Sequence, residues 1–194
     1  DYTIESYGSD LYHIGRGSIG TIDKYNAQNP DELIEQYTTQ DPSDSIGRNP
    51  YAIAFVNDAK AYLIRYGSDK IWIVNPSADN DNFKIGELDL SGYVEGNSKD
   101  AATPSSAVIT NGKLFVAMQR MADGFVAQTA YVAVFDIATD TEIETNANST
   151  DTVKGIPLAG MNPLAHSIVT SGSEVFVTTR NSYSSTDLNL SKIE

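Results

Sequence analysis

The sequence predicts an all-β fold made of repeated four-stranded sheets, and three observations lead there. One phrase recurs in register, as Asn49-Pro50-Tyr51-Ala52-Ile53-Ala54-Phe55, Thr103-Pro104-Ser105-Ser106-Ala107-Val108-Ile109 and Asn162-Pro163-Leu164-Ala165-His166-Ser167-Ile168. Its prolines stand 54 (104 − 50) and 59 (163 − 104) residues apart. That period fits one blade of a β-propeller and exceeds a leucine-rich or ankyrin unit. Short β-branched and aromatic runs alternate with Gly, Asn, Asp, Ser and Pro, the punctuation of strands and turns. Finally, no stretch of a dozen residues places apolar side chains at helical spacing.

Each element of the repeat has its own reason. The proline phrase is the inner strand. An aromatic then leads an apolar second strand: Tyr12, Tyr62, Phe115 and Phe176 take this place. Tyr62, Phe115 and Phe176 are expected at equivalent, largely buried positions between blades, because aromatics bury large areas between stacked sheets. A third strand, at 21–26, 71–75 and 131–136, closes on Asn or Asp, whose side chains bond the nearby backbone and tolerate left-handed geometry. The fourth, at 33–37, 84–90 and 141–145, alternates apolar and polar residues as a half-exposed edge does. Blades then run 1–45, 46–100, 101–159 and an incomplete 160–194. The last holds two strands, at 165–170 and 174–180, before a polar tail at 182–189. The chain thus makes about 3.5 four-stranded antiparallel blades. Closed propellers need at least four, so either further blades of the same protein or a second copy must cover the open edges.

The order Asn-Pro, then Lys60-Ala61-Tyr62-Leu63 or Lys113-Leu114-Phe115-Val116, then Val134-Phe135-Asp136-Ile137-Ala138-Thr139-Asp140-Thr141 resembles the YVTN-type β-propeller repeat proteins of bacterial and archaeal surfaces and periplasms. These are usually seven-bladed. The likeness covers most of the chain, with the eponymous strand motif altered to Phe176-Val177-Thr178-Thr179. It implies a secreted protein, periplasmic or at the cell surface. Such proteins and their relatives include surface-layer proteins, lactonases and quinoprotein-like chains.

With 26 acidic against 13 basic residues, the formal net charge of −13 repels nucleic-acid phosphate and anionic membranes. No cysteine is present, which removes disulfides, thiolate metal sites and a cysteine nucleophile. No segment approaches the roughly 18 apolar residues of a membrane span, and the start at Asp1 reads as a processed or truncated terminus.

Four of the five arginines, Arg16, Arg65, Arg120 and Arg180, follow the recurring aromatic by three to five residues; the fifth, Arg48, precedes an Asn-Pro. Equivalent positions on successive blades share a surface or the central channel, so these guanidinium groups are candidates for an anion or carboxylate site. The alternative is that each pairs with an acid and staples neighbouring blades. His13 and His166 are the imidazole candidates for copper or zinc, but a transition-metal site wants three or four ligands and no third stands at an equivalent position. Hydrogen-bonded histidines are expected instead. Asp79-Asn80-Asp81-Asn82 has the oxygen-rich composition of a calcium loop without EF-hand spacing. Calcium at Asp79 and Asp81 is therefore set against a plain polar turn.

Neither a Gly-x-Ser-x-Gly elbow, a phosphate loop nor His-Glu-x-x-His occurs. Gly15, Gly17 and Gly20 lie between short strands with no following helix to hold a pyrophosphate. The expected function is a non-catalytic binding or scaffold module that engages a protein, glycan or surface-layer partner through one propeller face. The alternative is an enzyme or redox accessory of the lactonase or quinoprotein-like kind, with an arginine-lined anion site at the channel mouth.

Overall fold

The structure, a computed structural model, describes residues 2–146, 153–180 and 192–194. The polar tail expected at 182–189 lies outside these residues. The first sheet is β1 (Tyr2–Tyr7), β2 (Asp10–Gly15), β3 (Thr21–Asn26) and β4 (Asn29–Thr38), in chain order and antiparallel throughout. The second repeats this with β5 (Pro50–Asn57), β6 (Lys60–Arg65), β7 (Lys70–Val74) and β8 (Lys84–Asp89). Both follow the turn chemistry of the sequence. The first strands of successive sheets adjoin one another on the inner side of the arc.

The third sheet departs from the simple pattern. It contains β9 (Pro104–Thr110), β10 (Lys113–Met118) and β11 (Tyr131–Asp136), but its outer edge is split. β12 (Thr141–Glu142) pairs with one end of β11 and β13 (Ile156–Pro157) with the other. The outer strand expected at 141–145 therefore ends at Glu142; Ile143 still donates its amide to Val134 O at 2.7 Å and packs on the core, and the polar residues after it leave the ladder. In the fourth sheet, β14 (Ile168–Ser171) and β15 (Glu174–Thr179) are joined by a third strand, β16 (Lys192–Ile193), where two strands were expected. β14 also starts later than residue 165. Ser167 N donates to Leu164 O at 3.1 Å in a turn that precedes it.

The core lies between sheets. On β6 and β7, Ala61, Leu63, Trp72 and Val74 face the first sheet, while Tyr62, Ile64, Ile71 and Ile73 face the third. Burial on both faces explains why these strands read as continuous apolar runs. Ala117, Val132 and Val134 meet Ile168 and Val177 at the last junction. The recurring aromatics are third in each second strand and alternate toward the following sheet. Tyr12 and Tyr62 are accordingly 2% and 0% exposed. Phe115 and Phe176, expected to match them, are only half-buried. Phe115 faces the smaller fourth sheet, and Phe176 points to the outer side of that sheet, where no described sheet packs. The architecture is a partial β-propeller.

Candidate functional site

One face of the arc carries the linkers between sheets and the loops between second and third strands. The residue before each repeat proline is left-handed there: Asn49 at φ 51°, Thr103 at φ 51° and Asn162 at φ 59°. Proline bars its predecessor from the right-handed helical region, and Asn tolerates the left-handed one. Thr103 is the strained member, since β-branched residues rarely sit there. The turns are tied by equivalent bonds, Tyr66 N to Asn49 O at 2.9 Å and Gln119 N to Thr103 O at 3.0 Å. This geometry is what the recurring Asn-Pro phrase encodes.

All four repeat arginines stand at or just beyond the ends of second strands, on this linker face. Arg65 Nε donates to Thr39 O at 3.1 Å, its Nη2 bonds Asp44, and its guanidinium lies 4.1 Å from the Trp72 ring. Arg120 repeats the design: Nε to Tyr93 O at 2.9 Å, Nη2 to Glu95 at 2.6 Å, and the Tyr131 ring 4.8 Å away. These two guanidinium groups clasp the linker that leads into their own sheet. Arg16 stacks 3.8 Å above Tyr51 of the next sheet. Tyr51 stacks in turn on Tyr66, whose hydroxyl donates to Gln119 at 2.6 Å, so one ladder crosses three sheets. Arg180 pairs through its backbone with Met161. Burial would raise the Asp44 carboxyl, but hydrogen bonds from Arg48 and the Asp41 amide, with the Arg65 charge, hold it below its ordinary value.

The histidines are placed apart in the topology. His13 is on β2, 3.5 Å from Asp23 and stacked on Tyr2, on the outer side of the first sheet. His166 was expected within the inner strand; it lies before β14 in an exposed left-handed turn, φ 59°. Asp79 accepts from both nitrogens of Asn82, at 3.0 and 2.8 Å, and so caps a short 3-10 turn at Asn80–Asn82 that contains Asp81. Among the described residues no three His, Asp or Glu side chains gather as a metal site would require.

Beside the arginine clasps, a cavity of about 380 Å³ opens on the linker face. Its walls are mainly apolar, from Ile46, Tyr66, Ala101, Met121 and Phe125, with Asn49, Asn97, Lys99 and Asp123 among the polar groups. That volume lies within the range of small-ligand sites. The wall at 122–126 is a tight loop closed by Ala122 N to Val126 O at 2.9 Å. Asp123 ties it to the second linker, donating from its amide to Gly96 O at 2.8 Å and accepting from Ser98 N at 3.1 Å. Within this loop Phe125 has φ 60° and is 70% exposed. The chemistry of the cavity is contact with an apolar group, bordered by amides and one charge of each sign. Sequence reading missed this site because its walls come from four separated segments, at 46–49, 66–67, 97–103 and 121–125; Gly124-Phe125 is the one local cue.

No protein-family model and no curated protein matches the chain. Solved structures match it in shape. The computationally designed Ika4 protein aligns with a TM-score of 0.57 at 10% identity, over 100% of this chain and 90% of that one. The computationally designed Ika8 protein aligns at 0.51 and 9% identity, over 92% of this chain and 43% of that one. Saccharomyces cerevisiae Sqt1 aligns at 0.49 and 12% identity, over 70% of this chain and 30% of that one. The chain therefore spans less than half the length of Ika8 and Sqt1. At such identities the likeness concerns the fold alone, and it agrees with the propeller architecture.

Proposed function

We propose that the chain is a non-catalytic binding segment of a cell-surface or periplasmic propeller, and that its linker face engages a protein or glycan partner. The repeat order similar to YVTN-type proteins suggests the location. The observation that carries the binding reading is Phe125. A bulky residue in left-handed backbone costs on the order of 1–3 kcal/mol, yet this one is exposed at a cavity edge. Such a cost makes sense where the aromatic is an anchor for a partner. Arg65 and Arg120, already engaged with their linkers, hold the face rigid. The outer side of the fourth sheet would take a further blade, of the same protein or of a second copy.

The test is a photo-crosslinking amino acid placed at position 125 in cells that make the protein, with Ile85 on the outer edge strand as control. A discrete adduct at 125 and none at 85 is expected, together with loss of that adduct's partner from complexes of Phe125→Gly. Phe125→Gly should also be more stable than the parent, because glycine relieves the backbone strain. Equal labelling at both positions would refute the proposal.

A further inference from the structure

On the opposite face, two equivalent junctions are closed in different ways. Between the second and third sheets, the Tyr62 hydroxyl donates to Asp140 at 2.5 Å. The Lys60 ammonium lies 2.8 Å from both Asp140 oxygens and 2.8 Å from Ile137 O. Phenol, carboxylate and ammonium satisfy one another.

Between the first and second sheets the phenol recurs as Tyr12, but Asp10 holds the place of Lys60. Lys24 reaches in from β3 instead, 3.0 Å from Asp10 and 3.0 Å from Pro76 O, the counterpart of Ile137 O. No carboxylate takes the Tyr12 hydroxyl, since Asp79 of the facing turn is committed to Asn82. Tyr12 is 2% exposed and lines a cavity, and its hydroxyl makes no hydrogen bond to another described residue. It meets a cavity of about 380 Å³ whose walls include Tyr7, Asp10, Lys24, Asp58 and Ser77. Two carboxylates and one ammonium line this space, which leaves one negative charge uncompensated. Asp10 and Asp58 also act on the phenol: burial first, then their fields, push its ionisation upward.

We propose that this cavity binds a primary alkylammonium group, seated between the Asp58 carboxylate and the Tyr12 hydroxyl oxygen with its stem against Tyr7. The second junction shows the same chemistry satisfied internally by Lys60. A carboxylate, an aromatic wall and a phenol oxygen are the groups that hold an ammonium. A single water takes up about 30 Å³, so an alkyl stem has room. Calcium is disfavoured because it wants six to eight oxygens and would sit beside the Lys24 ammonium. The inference is independent of the linker-face reading, since the two cavities share no residue.

The experiment is an amide chemical-shift titration of the whole chain with n-butylammonium chloride, alongside n-butanol and calcium chloride. Saturable shifts confined to residues 8–10, 58 and 77 are expected with the amine alone. Asp58→Asn should weaken that binding by about tenfold or more, the order of a lost hydrogen bond to a charged group. Tyr12→Phe, which removes only an unpartnered hydroxyl and so keeps the fold, should weaken it several-fold. Shifts that are no larger with the amine than with butanol, that appear with calcium instead, or that persist unchanged in Asp58→Asn would overturn the proposal.

Discussion

Arg65 holds the first linker through Thr39 O and Asp44, and at 2% exposure it has no water to fall back on. Removing one member of a buried ion pair typically costs about 3–5 kcal/mol, because the other charge is left behind. Asp44 keeps Arg48 at 2.8 Å, so Arg65→Met should cost about 3 kcal/mol by urea denaturation, at the low end of that range. The Asp44 carboxyl is held below its ordinary value, so its contribution is fully present above the unfolded pKa of about 3.9 and fades as pH falls through the lower folded value. The gap between parent and Arg65→Met should narrow from pH 6 toward pH 3; a gap independent of pH would refute the pairing. Glu142 behaves with the opposite sign. Burial raises its carboxyl, against the hydrogen bond from the Tyr93 hydroxyl. A raised carboxylate favours the fold below the ordinary Glu range and loses that benefit as pH rises through the folded value. Glu142→Gln should therefore stabilise the protein at pH 7 relative to the parent and make little difference at pH 4, as thermal melts at the two values would show.

Among elements, the four second strands are the same device in four surroundings. Tyr62 is sealed between the second and third sheets, whereas Phe115 faces a smaller fourth sheet whose β16 has two residues. Tyr62→Ala should cost about 3–5 kcal/mol as a fully buried aromatic does, and Phe115→Ala about half as much; equal losses would mean that the fourth sheet covers Phe115 fully. The strand order of the first two sheets was legible because every local signal agreed there: Gly8-Ser9 and Asp58-Ala59 turn the hairpins, and double-sided burial gives unbroken apolar runs. The break after Glu142 and the turn at His166 were not legible. Both depend on which backbone groups find partners across the sheet, and no periodicity reports that. Aligned with Ile53 and Ala107, His166 reads as a strand residue until its left-handed backbone is seen. The arginine positions were readable from spacing, but the partners of Arg65 and Arg120, namely Thr39, Asp44, Tyr93 and Glu95, were not, since these share no motif.

For the molecule as a whole, the outer side of the fourth sheet exposes Val169 at 55% and Ile193 at 73%, beside half-buried Phe176. Strand pairing at Val169–Phe176 and Thr178–Ile193 puts these three on one face. An apolar sheet face of this kind invites association. Light scattering on the 194-residue chain should show concentration-dependent self-association that Val169→Lys suppresses; an ideal monomer at all concentrations would count against it. The outer side of the first sheet mixes the two characters: Tyr2 and Ile4 are 58% and 61% exposed there, and His13, Asp23 and Gln36 lay a polar row beside them. The two arginine clasps point the same way along the chain. Arg65 reaches back 26 residues to Thr39, and Arg120 reaches back 27 to Tyr93. Each clasp thus needs only sequence already made, and closing so short a loop carries a small entropic penalty. On a ribosome, a nascent sheet could lock its own linker as soon as its second strand emerges, long before the sheets that follow have been synthesised. Growth by ratchet, one clasp for the second sheet and one for the third in the direction of translation, would spare the unfinished arc from searching among look-alike repeats for the right neighbour.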